Sequence, residues 1–71
     1  MTKIFVSDMK YYKDNNIIVC GDDVKHIRNV LRLTIGNRFL ICDGRKNDYF
    51  VEIDKFEGNF IITKIIKKVE T

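Results

Sequence analysis

Apolar side chains gather in short stretches divided by polar turns, as continuous runs near the start and at every second position further on, which are the patterns of buried and half-buried β-strands. Lys3-Ile4-Phe5-Val6-Ser7 reads as a first strand. Residues 7–16 are polar, with two adjacent tyrosines, and read as a loop. Ile17-Ile18-Val19-Cys20 is a second strand, stopped by Gly21. Residues 38–43 place Phe39 and Ile41 on one face, with Leu40 and Cys42 on the other. After a polar turn at Gly44-Arg45-Lys46-Asn47, residues 48–54 alternate again, Tyr49, Val51 and Ile53 against Glu52 and Asp54. Glu57-Gly58-Asn59 signals a hairpin. Residues 60–69 form a long last strand with Ile61, Thr63, Ile65 and Val69 on one side.

One segment departs from this period of two. Val24, Ile27, Val30 and Leu31 recur at the spacing of one helical face, which predicts a helix over residues 23–33. Asp22 and Asp23 offer an N-cap and first-turn negative charge. Lys25, Arg28 and Arg32 fall on the flank beside the apolar face, and Gly36-Asn37 supplies the turn that follows. Five strands and one helix in 71 residues cannot build a deep two-layer sandwich. The economical arrangement is mainly β: a small barrel of mostly antiparallel strands, with one short α-helix closing an open end.

Composition supports that class. The chain has eleven Ile, six Val and five Phe, but no Ala, Pro or Trp. β-Branched and aromatic side chains suit a pleated surface better than a helical bundle. A domain of this length buries only about 60% of its unfolded surface. A self-contained enzyme with a substrate pocket is hard to build in so little, so a binding module or a piece of something larger is expected. Thirteen Lys and Arg against ten Asp and Glu give a formal charge of +3, and 32% of residues are charged, an ordinary globular balance. No apolar run is long enough to span a membrane and no secretory leader is visible, which points to the cytoplasm.

The catalytic inventory is thin. His26 is the one imidazole and sits off the apolar arc, without a Ser or Cys in a nucleophile setting, so a structural or merely exposed role is expected. Cys20 and Cys42 lie in strand patterns, where thiols act as small hydrophobes, and they are expected to be reduced. No metal site and no phosphate-cradling glycine motif is present. The basic residues lead instead: Lys25, Arg28 and Arg32 on the helix flank, and Arg45-Lys46 at a turn tip. Such groups pair with phosphates, and Arg also stacks on bases or forks to them. A solvated charged flank is the competing explanation.

The run His26-Ile27-Arg28-Asn29-Val30-Leu31-Arg32-Leu33, followed by Gly36, resembles the N-terminal region of the RsmE family, the ribosomal RNA small subunit methyltransferases E. Lys3-Ile4-Phe5-Val6 is similar to that family's opening strand and Cys42-Asp43-Gly44 to its turn after the third strand; His26, Val30, Leu31, Arg32 and Gly36 stand on the motif. Lys3 stands where the family often has Arg, and Asn37 where it usually has Asp. The resemblance implies a PUA-like RNA-binding barrel over residues 1–71, with Lys3, Lys25, Arg28, Arg32, Arg45 and Lys46 as RNA-binding candidates. It also implies a knotted SPOUT domain, absent from this chain, that binds S-adenosylmethionine and methylates N3 of a uridine in 16S rRNA. The fragment alone would bind no cofactor and be inactive. The full-length protein would be a homodimer acting on the small ribosomal subunit. The alternative is an independent small β-barrel that binds a protein partner through Tyr11, Tyr12 and exposed Ile residues.

Overall fold

The computed structural model describes residues 3–5, 11–13, 15–42 and 47–70. Its strands are β1 (Lys3–Phe5), β2 (Tyr11–Lys13), β3 (Asn16–Val19), β4 (Arg38–Cys42), β5 (Asn47–Glu57) and β6 (Phe60–Glu70). A single α-helical turn, α1 (Asp22–Lys25), continues into a π-helical segment, His26–Val30. The six strands form one sheet in the order β1-β4-β5-β6-β3-β2. The β1–β4 pair is parallel and the other ladders are antiparallel.

Alternation decides which side chains face the core. Ile17 and Val19, Phe39 and Ile41, Tyr49, Val51 and Ile53, and Ile61 are buried together, and Val24 and Ile27 close over them from the helical segment. Thr63 is buried in the same row, and its hydroxyl donates to the Ile17 carbonyl at 2.8 Å. This hydroxyl thus has a partner inside the core, as a buried polar group requires. The class is mainly β with one short helix, as expected. Among the described residues no ladder joins β1 to β2, so the barrel is open along that seam.

Several details differ from the sequence pattern. Among the described residues there are six strands rather than about five, because β2 lies within the stretch expected to be a loop. Its partner is β3, with Tyr11 opposite Ile18 and Lys13 opposite Asn16. As an edge strand it carries polar residues, and that polarity hides it from a hydrophobic pattern. Asp54 and Ile66 are extra residues in the β5–β6 ladder: Ile53 pairs with Thr63 but Lys55 with Ile62, and Phe50 pairs with Lys67 but Val51 with Ile65. Each bulge shifts the side-chain phase by one. Phe56 therefore turns toward the core, where strict alternation would put Lys55. Val69 falls opposite Asp48 rather than continuing the Ile61–Thr63–Ile65 face.

The helix is also shorter and wider than the pattern predicts. Gly21 is the N-cap and no side-chain cap bond is made; Asp22 and Asp23 supply first-turn charge only. The Leu31 N–H donates to the His26 carbonyl at 3.0 Å, five residues back, and the Leu33 N–H to the Ile27 carbonyl at 3.1 Å, six back. Such a turn advances the chain by more than 3.6 residues per revolution. Of the expected apolar face, Leu31 still packs against the core, while Val30 is turned out and 66% exposed. Arg32 comes after the helical segment with φ 54, the left-handed conformation in which a helix commonly ends.

Two turns complete the frame. The Thr34 N–H donates to the Asn37 side-chain oxygen at 2.8 Å, and the Asn37 N–H returns to the Thr34 carbonyl at 3.0 Å. At the β5–β6 turn Gly58 has φ 59 while Asn59 has no positive φ, the pattern of a type II′ hairpin.

Candidate nucleic-acid interface

The β5–β6 hairpin brings its turn close to the start of the helical segment. Between them is a cavity of about 350 Å³, lined by Gly21, Asp22, Val24, Lys25, Arg28 and Asn29 on one side and Asn59 on the other. Val24 ties the cavity wall to the core, because it is buried in the central cluster. Lys25 and Arg28 are exposed on that wall, so their charges can meet a ligand without first leaving the protein interior. The Arg28 guanidinium carbon stands 5.1 Å over the centroid of the Phe56 ring. Cation–π contact of this kind steadies a side chain that would otherwise move freely in water.

The chemistry offered by the cavity is mixed. The lining holds two cations, one carboxylate, Asp22, and two carboxamides, Asn29 and Asn59, each able to donate and to accept. Phosphate and base edges together call for such a set: fixed positive charge for the backbone, and neutral donors and acceptors for the bases.

The expected basic stripe is only partly assembled. Lys25 and Arg28 come together at the cavity, while Arg32 lies beyond the helical segment and does not line it. The physical reason is the wide turn at His26–Val30, which ends the helix before Arg32 can continue the flank. Lys3 lies on edge strand β1 opposite Leu40. Arg45 and Lys46 lie outside the described residues. His26 is exposed, and no group of metal-ligating side chains occurs among the described residues. Cys20 and Cys42 are free and half-buried. No helix of the described residues is long and apolar enough to cross a membrane.

Sequence reasoning missed Phe56, Asn29 and Asn59. The hairpin signal at residues 57–59 was legible, but its proximity to the helix depends on how the sheet wraps. Two other basic residues are engaged by carboxylates. The Arg38 Nε donates to Glu52 Oε1 at 2.9 Å across the β4–β5 ladder, and Lys55 Nζ lies 3.4 Å from Glu57 Oε2.

Comparisons with known proteins agree with this architecture. Among curated proteins none matches the chain in sequence. A structure of a predicted RNA methyltransferase from Thermotoga maritima superposes with a TM-score of 0.80 at 20% identity, covering 100% of this chain and 31% of that one. The ribosomal RNA small subunit methyltransferase E of Neisseria gonorrhoeae, bound to S-adenosyl methionine, superposes with a TM-score of 0.75 at 17% identity, covering 100% of this chain and 29% of that one. The chain thus spans about three-tenths of the length of these structures, and at such identities they speak for the fold alone. The family described as "RNA methyltransferase PUA domain" matches residues 19–68, from the end of β3 through most of β6. By that match, which takes in both walls of the cavity, the chain belongs to the RNA methyltransferase PUA domain family.

Proposed function

We propose that this chain is the RNA-docking domain of an S-adenosylmethionine-dependent 16S rRNA (uracil-N3)-methyltransferase. The observation that carries the reading is the pairing of Lys25 and Arg28 on one exposed cavity wall, in a chain of the RNA methyltransferase PUA domain family. The two cations neutralise phosphates and release the counterions condensed on them. Asn29 and Asn59 fix the register of the strand that the cations hold. The domain then presents a segment of small-subunit RNA to a catalytic SPOUT domain, within a homodimer of the full-length protein in the cytoplasm.

The cavity lining is poorly matched to S-adenosylmethionine, whose sulfonium and ammonium groups would meet Lys25 and Arg28 with Asp22 as the one carboxylate of the lining. Cofactor binding and methyl transfer are therefore assigned to the SPOUT domain, and no chemical step is assigned to the residues of this chain.

The test is fluorescence anisotropy on a labelled small-subunit RNA fragment over a series of salt concentrations. Affinity should fall linearly on logarithmic axes, and Lys25→Ala and Arg28→Ala should each reduce the slope by roughly 1. Unchanged slopes in folded variants would move the RNA surface elsewhere. The exposure of Val30 (66%) and Ile35 (61%) favours a second reading, an apolar contact with a protein partner. That contact would be indifferent to salt.

A further inference from the structure

Arg28 differs from Lys25 in what lies beneath it. The Asp54 bulge turns Phe56 toward the core, and the ring packs there half-buried. Over it, at 5.1 Å from the centroid, stands the guanidinium carbon of Arg28, and Arg28 lines the cavity while Phe56 does not. Arg28 thus both touches the aromatic ring and belongs to the cavity lining. A point charge meant only for phosphate needs no such backing. A planar cation held on a ring offers its other face as a stacking surface, and guanidinium planes carry unpaired RNA bases in this way.

The rest of the cavity suits one nucleotide. Its volume of about 350 Å³ lies at the low end of small-ligand clefts. Lys25 supplies a cation for the phosphate, and Asn29 and Asn59 line the cavity with carboxamides that can pair with a base edge. The Asp22 carboxylate adds an acceptor that favours an exocyclic amino group, as on cytosine, over the carbonyl that uracil has in its place. Asn59 is set by the type II′ turn at Gly58, so the far wall is fixed by the backbone.

We propose that this cavity takes a single unpaired RNA nucleotide, its base stacked on the Arg28 guanidinium that Phe56 holds in place. The proposal rests on the RNA-docking reading above and adds to it a stacking role for Arg28 and a part for Phe56.

The test uses the purified 71-residue chain and two labelled hexamers, oligocytidylate and an abasic ribose-phosphate chain with the same number of phosphates. Wild type should bind oligocytidylate roughly tenfold more tightly, the range that one stacked base gives. Arg28→Lys keeps the charge and loses the plane. It should retain the salt slope while the preference for bases falls to near one. Phe56→Leu should also lose the preference, whereas Phe56→Tyr, which keeps the ring, should retain it; circular dichroism confirms folding of each. Full preference in Arg28→Lys, or equal binding of the two hexamers by wild type, would overturn the stacking role and leave RNA docking standing. Failure of wild type to bind either hexamer in a salt-dependent way would overturn both.

Discussion

Replacing Arg32 by glycine should make this domain more stable, although the substitution removes a whole side chain. Arg32 has φ 54 and follows the wide helical turn, in the conformation that glycine commonly takes there. A left-handed backbone costs an L-residue about 1–2 kcal/mol. Glycine avoids that cost but adds unfolded-state entropy, worth about 0.5–1 kcal/mol in the opposite sense. The net gain for Arg32→Gly is therefore about 0.5–1 kcal/mol. In a domain of this size that raises Tm by about 2–8 °C. Arg32→Ala keeps the strained backbone and should stay within about 0.5 kcal/mol of wild type. Thermal unfolding followed by circular dichroism checks both. A lower Tm for the glycine variant, or an alanine variant losing more than about 1 kcal/mol, would refute the reasoning and give the Arg32 side chain a structural role at the helix end.

Other consequences are more local. Thr63→Val removes the hydroxyl that bonds the Ile17 carbonyl inside the core, and urea unfolding should show a loss of about 1–2 kcal/mol; no loss would mean that the bond contributes nothing net. Asn37→Ala should cost about 1 kcal/mol by freeing the Thr34 N–H, while Asn37→Asp keeps the acceptor and should be near neutral in the same assay. The 71-residue chain alone should transfer no methyl group. Label from S-adenosylmethionine entering unmethylated small subunits above a no-protein control would contradict that assignment.

The strand faces were legible in the sequence because burial on one side enforces strict alternation: Phe39 and Ile41, and Tyr49, Val51 and Ile53, are all buried as their spacing requires. Legibility ended where a backbone irregularity changed the phase. No residue type announces the extra positions at Asp54 and Ile66, yet they decide where Phe56 and Val69 point. The same holds for the helix. Val24, Ile27 and Leu31 obeyed the 3.6-residue period, while the wide turn took Val30 away from the core and left Arg32 off the flank. Within the site, Lys25 and Arg28 could be read because they are neighbours on one local element. Phe56 and Asn59 could not, because only the wrapping of β5 and β6 brings them to the helix.

RNA docking is placed at the cavity between the helical segment and the β5–β6 turn. The most direct measurement is backbone amide chemical-shift mapping on the isotopically labelled chain, titrated with a small-subunit RNA fragment at low salt. The largest shifts should fall on residues 21–29 and on Gly58, Asn59 and Phe60, and should fade as salt is raised. Shifts confined to the outer sheet face around Leu40, Phe50, Ile62 and Lys64, with the cavity residues unmoved, would contradict that placement.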